Sequence, residues 1–350
     1  MKNKYLILAD GKSKHTLKWI IGIKSYYDVF LISFNGVDNE YYNHIERSQV
    51  IVLNDAVKST GGNYKLLKEL FKIKKCIDEI NPDILNAHYL TSYGFLGALL
   101  KKYFFNNIFL IQSTIGSDVL VAPKKNIFYK LLSKFALNQA NIITSDSYFM
   151  SDEINKISSV KVLTFPFGLD EFSINEEKII KDDKLIFSNR ALYDNYNIDE
   201  VIYWFATISK NYKLVIANDG INRKKLQKLV NKLGVENRVD FVGFINEEEQ
   251  KMYYKRAKYY ISIPTSDSTS VSVLEALRYA CIPILSNIPA NREWIIDNYN
   301  GYLFSSDLNI SDTLILEDNV THYNQLLILK KAIFKKNILY FINNLDIKTQ

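Results

Sequence analysis

The sequence predicts an α/β protein built as two doubly wound, Rossmann-like domains, each around a parallel sheet. Three observations predict it. Short apolar runs recur along the whole chain with amphipathic stretches between them, the alternation expected of parallel strands buried on both faces. The 350 residues, 47% hydrophobic and 23% charged, are enough to fill two cores of ordinary size. The runs are too many for one comfortable sheet, and a stretch punctuated by Pro and Gly separates them into two series.

The first series reads Tyr5–Leu8, Val29–Ser33, Val50–Leu53, Ile84–Ala87, Ile108–Gln112, Ile142–Thr144 and Val160–Leu163. The second reads Lys184–Phe187, Leu214–Ala217, Val239–Val242, Tyr259–Ser262, Ile282–Leu285 and Gly301–Phe304. Helical periodicity fills the gaps, as in Tyr64–Ile80, Asn126–Leu137 and Arg223–Leu233. The seam is Phe165-Pro166-Phe167-Gly168-Leu169-Asp170, which divides a first domain over residues 1–167 from a second over 168–323. Residues 324–345 then read as one long helix with Leu326, Leu329, Ile333, Ile338, Phe341 and Leu345 apolar, able to cap either domain or to pack back on the first. The chain has no internal repeat and no low-complexity linker.

Composition excludes several classes. A net charge of +6 is too diffuse to imply nucleic acid, though it suits anionic substrates or an anionic membrane surface. Cys76 and Cys281 form neither a disulfide framework nor a zinc site, which points to a reducing compartment. The apolar run Tyr5–Ala9 behind Lys2 and Lys4 is too short for a signal peptide, and no stretch approaches the roughly 18 apolar residues of a membrane span. The expected location is the cytoplasm.

Two such domains facing each other make a cleft between strand ends, so the turns after the strands are where function is sought. Those turns carry Gly11 followed by His15 and Trp19, then His88-Tyr89, Gly116-Ser117-Asp118, Ser188-Asn189-Arg190 and Asn218-Asp219-Gly220. No G-x-G-x-x-G and no P-loop is present, which weakens a dinucleotide or NTPase reading. The richest turn lies in Ser262–Trp294, where an apolar run ends in a polar loop and a helix starts near Val271. A nucleoside diphosphate would find N–H groups there at Thr269, Ser270 and Val271, and a cation at Arg190. Glu275 could accept from the ribose hydroxyls, and Asp267 would meet whatever lies beyond the phosphates.

These residues resemble the glycosyltransferases of family 4, with the GT-B fold. The family signature is two acids separated by seven residues and followed by Ala and a Met or Leu, here Asp267 and Glu275-Ala276-Leu277. The resemblance extends through G-K-S-K-H-T-L-K-W, N-P-D-I-L-N-A-H-Y, S-T-I-G-S-D-V-L, F-P-F-G-L-D-E-F, V-D-F-V-G-F-I and I-P-A-N-R-E-W, in order along nearly the whole chain. It implies transfer of a sugar from a nucleotide-sugar to an acceptor with retention of configuration, and no metal or other cofactor. It places Asp267, Asp118 and His88 at the catalytic centre. Arg190, Glu275, Thr269, Ser270, Val271, Gly11 and Asn195 fall toward the donor, and His15 toward the acceptor. Four positions depart from the family: Asp267 for Glu, Asn195 for a phosphate-binding Lys, Ile115 for His, and Ala280 for Gly.

The expected partners are a UDP- or GDP-sugar and a saccharide or lipid-linked acceptor, as in bacterial surface-glycan synthesis, with no nucleic acid. Residues 123–137 mix Lys124, Lys125, Lys130 and Lys134 with Ile127, Phe128, Leu131, Leu132 and Phe135, a pattern suited to peripheral contact with the inner membrane surface or to an ordinary helix with a solvated basic face. Two other readings share the fold. One is a nucleotide-sugar epimerase, which would need more acid/base carboxylates than Asp267 and Asp118. The other is a weakly catalytic nucleotide-sugar-binding subunit, which the residues at 195 and 115 favour.

Overall fold

The computed structural model describes residues 2–53, 64–174, 180–310 and 317–345. The chain forms two compact units: unit 1 is Met1–Pro166 with Lys335–Gln350, and unit 2 is Phe167–Phe334.

Unit 1 carries seven strands, β1 (Lys4–Leu8), β2 (Asp28–Ser33), β3 (Val50–Val52), β4 (Ile84–His88), β5 (Phe109–Ser113), β6 (Ile142–Ser145) and β7 (Val162–Thr164). They form one parallel sheet in the order β3-β2-β1-β4-β5-β6-β7. Tyr5, Leu6, Ile7 and Leu8 are all fully buried, so β1 needs helices on both faces to cover it. The helix Lys14–Ile23 answers with Thr16, Leu17, Trp19, Ile20 and Ile23 on one stripe. Leu70–Ile80 buries Ile73, Ile77 and Ile80 and stops where Asn81 turns left-handed at φ 50°.

Unit 2 repeats the plan with β8 (Asp182–Ser188), β9 (Lys213–Ala217), β10 (Val239–Gly243), β11 (Ala257–Ser262), β12 (Ile282–Leu285) and β13 (Tyr302–Leu303). Its parallel sheet runs β10-β9-β8-β11-β12-β13. In each sheet the strand order reverses once, between β1 and β4 and between β8 and β11. Loops leaving two such strands diverge to opposite faces and open a crevice at the strands' carboxyl ends. All thirteen apolar runs become strands, each bounded by turn residues; the central ones are apolar on both faces, whereas edge strand β10 exposes Asp240 and Val242.

Helix boundaries are less faithful. Residues 324–345 are not one helix: Glu317–Lys331 and Phe334–Asn343 are separate, broken at Ala332-Ile333. The break exists because the backbone pairs sideways there. Leu169 N donates to the Ala332 carbonyl and Phe334 N to the Leu169 carbonyl, both at 2.8 Å. Gly168 makes the approach possible, since a Cβ on it would lie 2.5 Å from the Ala332 oxygen. The chain thus leaves unit 1 at Pro166 and returns at Lys335, and Phe341 packs on Trp19 with ring centroids 5.1 Å apart. Residues 123–137 are likewise split, into Ala122–Lys125 and Ile127–Asn138, by Asn126, whose Oδ1 caps the second helix at Tyr129 N.

The helix Val271–Arg278 ends in a Schellman turn: Cys281 N donates to the Ala276 carbonyl at 2.8 Å, and Ala280 sits at φ 63°. Glycine adopts that conformation without cost, whereas a Cβ there is strained. Ala280→Gly is therefore expected to stabilise unit 2 by about 1 kcal/mol, read as slower hydrogen exchange of the β11 and β12 amides. Unchanged or faster exchange would show the turn to be unstrained.

Candidate functional site

The carboxyl ends of β8 and β11 bring the two halves of the richest turn together. β8 delivers Arg190, and the loop after β11 runs through Asp267 to the N-cap Ser270 of the helix Val271–Arg278. Arg190 Nη1 donates to Ser270 Oγ at 2.6 Å, and Nη2 donates to Asp267 Oδ2 at 2.7 Å. The guanidinium lies over the Tyr196 ring, 4.3 Å from its centroid. Its Nε is buried with no hydrogen-bond partner among the described residues. Burial works most strongly against this charge, but Asp267 together with Tyr260, Tyr196 and Tyr254 outweighs it, so the Arg190 pKa is raised and the group stays ionised.

The loop is braced at several points. Ser268 N donates to Asp267 Oδ1 at 3.0 Å, and Ser286 Oγ to the Pro264 carbonyl at 2.8 Å. Asn195, expected at the donor phosphates, is instead a clasp. Its Nδ2 donates to the Ser266 carbonyl, its carbonyl accepts from Thr265 N, and its Oδ1 accepts from Thr265 Oγ1. Asn195 thus positions the loop and holds no spare charge for a phosphate.

Thr269 and Ser270 are buried at the start of the helix, where the first-turn N–H groups lack intrahelical acceptors and carry the positive end of the helix dipole. With Val271 they lie at the positive end of the helix dipole. Glu275, half-buried one turn further, accepts from Gln250 Nε2 at 2.9 Å. Gln250 escaped the sequence reading because it comes from the helix Glu247–Arg256, far away in sequence. Asn189, named only as part of its turn, gains a role: its Oδ1 accepts from the Tyr260 hydroxyl at 2.8 Å and its Nδ2 donates to that of Tyr254 at 2.9 Å, fixing the turn that aims Arg190.

Unit 1 holds the remaining predicted residues at the carboxyl ends of β1, β4 and β5. Gly11 N donates to Ser33 Oγ at 2.8 Å, and a Cβ there would lie 2.6 Å from the Gly36 carbonyl. Its smallness serves the close approach of the 33–37 loop. Asp118, expected at the catalytic centre, is fully buried: Oδ2 accepts from Leu90 N and Oδ1 from Ile115 N and Gly116 N. Burial raises its pKa against the pull of those amide bonds. It is a brace between two turns, with no face toward solvent.

His88 is also buried, edge-on to Trp19 at 5.5 Å, and its Nε2 has no partner among the described residues. Burial, with His15 adding to it, pushes the His88 pKa down to about 3. It therefore remains neutral at ordinary pH and is a poor proton acceptor. The His15 pKa is lowered by burial and by Lys18. No group of three or more His, Cys, Asp or Glu that could hold a metal ion occurs among the described residues.

Two family models match the chain in succession. The glycosyl transferase 4-like model covers residues 4–147, and the glycosyl transferases group 1 model covers residues 170–314. The chain belongs to the group 1 glycosyltransferase family. An uncharacterized glycosyltransferase of Methanocaldococcus jannaschii is 23% identical over 69% of the chain, which spans 64% of that protein's length. An N-acetylgalactosamine-N,N'-diacetylbacillosaminyl-diphospho-undecaprenol 4-alpha-N-acetylgalactosaminyltransferase of Campylobacter jejuni is 25% identical over 86% of the chain and 84% of its own length. The crystal structure of Anabaena HepE in complex with UDP-glucose matches with a TM-score of 0.73 at 16% identity, over 98% of this chain and 100% of that one. The two-unit fold is accordingly GT-B.

The buried neutral histidine sets a pH dependence. Its folded pKa lies below the ordinary value of 6.5, so its contribution to stability is complete above pH 6.5 and is lost as pH falls toward 3. Between pH 6.5 and 5, above most carboxylate titrations, unit 1 should lose about 1.4 kcal/mol per pH unit through this one proton. Hydrogen exchange of β4 amides measures it, and His88→Gln should flatten the slope. An equal slope in both proteins would refute the assignment.

Proposed function

We propose that the chain is a metal-independent, retaining glycosyltransferase that moves a sugar from a nucleotide-sugar to a saccharide or lipid-linked acceptor in surface-glycan assembly. The observation that carries the reading is the convergence of the buried Arg190 guanidinium with the N-terminus of Val271–Arg278 at the β8/β11 switch point. A departing nucleoside diphosphate gathers negative charge as the sugar leaves. Preformed N–H donors and a fixed guanidinium aimed at that charge lower the barrier, as a divalent metal otherwise would. Glu275, steadied by Gln250, takes the ribose hydroxyls. Unit 1 falls to the acceptor. The Anabaena protein's complex with UDP-glucose and the Campylobacter protein's undecaprenol-linked acceptor are what favour a UDP-sugar and a lipid-linked saccharide.

A lipid-linked acceptor lies at a bilayer surface, and the helix Ile127–Asn138 offers a means of reaching one. Ile127, Phe128 and Leu131 are 70%, 64% and 59% exposed on one face, an unusual display for large apolar side chains. Lys125, Lys130 and Lys134 are close to them along the chain, while the Lys124 ammonium pairs with Glu153 at 2.8 Å. Apolar anchors with ammonium groups nearby complement an anionic bilayer surface. No helix among the described residues is long and apolar enough to cross a membrane, so the contact is read as peripheral.

Arg190→Ala is expected to lower turnover about 100-fold or more, and Glu275→Ala to weaken donor binding about tenfold. Product release from a UDP- and GDP-sugar panel, followed by NMR, reads both, with the anomeric configuration of the product testing retention. An Arg190→Ala protein with wild-type donor affinity would sink the site. For the helix, flotation with vesicles rich in phosphatidylglycerol should recover the protein. A Phe128→Ser/Leu131→Ser variant should partition roughly tenfold less. Equal recovery with purely zwitterionic vesicles would refute the electrostatic part.

A further inference from the structure

We propose that Asp267 is an internal counter-ion that competes with the donor's diphosphate for Arg190, and that this exchange loosens the hold on the nucleoside diphosphate left after transfer. The inference rests on the phosphate role of Arg190 stated above, and goes beyond it by giving the first acid of the signature a second task.

Both terminal nitrogens of the guanidinium are already engaged. Asp267 accepts one N–H of Nη2 at 2.7 Å and Ser270 one N–H of Nη1 at 2.6 Å, so a phosphate that pairs with this cation competes with a carboxylate already seated on it. The two partners are held unequally. Arg190 is gripped by the Tyr196 ring, by Ser270 and by its place at the end of β8, and its side chain is 10% exposed. The Asp267 side chain is 24% exposed on a loop, and the amide donated to its Oδ1 comes from the next residue, Ser268. In an exchange the acid swings and the cation stays. The buried guanidinium is paired with carboxylate before and with phosphate after, so no stage leaves it without a counter-charge.

Once displaced, Asp267 remains beside the diphosphate, and like charges in a part-buried site repel. While the sugar is attached, its hydroxyls can donate to the carboxylate and soften that repulsion. After the sugar departs, only the repulsion remains, together with the carboxylate's own claim on Nη2. The penalty therefore falls on product more than on donor. Asn195, where the family carries a second cation, is committed to Thr265 and Ser266. With that cation missing, one acid weighs more heavily against one guanidinium.

The experiment is calorimetric titration of UDP and GDP into the full chain and its Asp267→Asn, Asp267→Glu and Arg190→Ala variants, each checked for an unchanged melting profile. For the nucleotide that binds, Asp267→Asn should bind about tenfold tighter, and Asp267→Glu, which keeps the charge, should stay near wild type. Arg190→Ala should lose binding. A folded Asp267→Asn that binds equally or more weakly overturns the counter-ion role while the phosphate seat stands. An Arg190→Ala that binds as well as wild type, or no binding by any of the four, overturns the seat and this inference with it.

Discussion

A buried guanidinium cannot stand alone, and most of the candidate site can be understood from that requirement. Arg190 sits at the end of a central strand, where water does not reach most of its surface, and its charge must be balanced by the loop that faces it. Asp267 supplies the charge, Ser270 a hydroxyl acceptor and Tyr196 an electron-rich face. The loop must then hold one conformation, and Asn195, Asn197 and Ser286 fix it by binding its carbonyls. An arrangement that stabilises a cation internally is, by the same chemistry, one that an external anion can enter.

The sheet topology decides where this happens. Parallel strands buried on both faces send every connection to the same pair of edges, and the order reverses once in each sheet. In unit 2 the reversal lies between β8 and β11, and the two loops that separate there carry Arg190 and Asp267. In unit 1 it lies between β1 and β4, where Gly11, His15 and His88 gather. The two switch points differ in character. The one in unit 2 is charged and paired. The one in unit 1 carries two histidines whose proton affinity burial has lowered, beside the Asp10 carboxylate held by Asn35.

Unit 1 is stabilised across its strands by a polar thread rather than by charge. Asn86 donates to the Tyr5 hydroxyl and accepts from Ser113, and Thr144 donates on to Ser113, so one chain of hydrogen bonds joins β1, β4, β5 and β6. Such a network is favourable only when its members are satisfied, and it penalises any shift in strand register. Asp118 adds the same kind of constraint at the turns, where its carboxylate gathers three amides from two loops.

The sequence by itself determined the strands, the two-domain plan and the acid pair, because these depend on local pattern. An apolar run between turn residues has few alternatives to a buried strand, and two acids with seven residues between them, one ahead of a short helix and one within it, can be counted. It could not determine which polar side chains meet. Asp118 and Asn195 carry reactive-looking groups at strand ends, and only the folded chain shows their oxygens and amides committed to backbone. Gln250 and Asn189 look ordinary, yet they steady Glu275 and aim Arg190 across long separations in sequence. The break at Ala332-Ile333 was hidden for the same reason: a residue more than 160 positions earlier, Leu169, draws the backbone out of the helix. Periodicity reports what each residue prefers among its neighbours along the chain, whereas hydrogen-bond partners are chosen among neighbours in space, and these are fixed only when the sheets close.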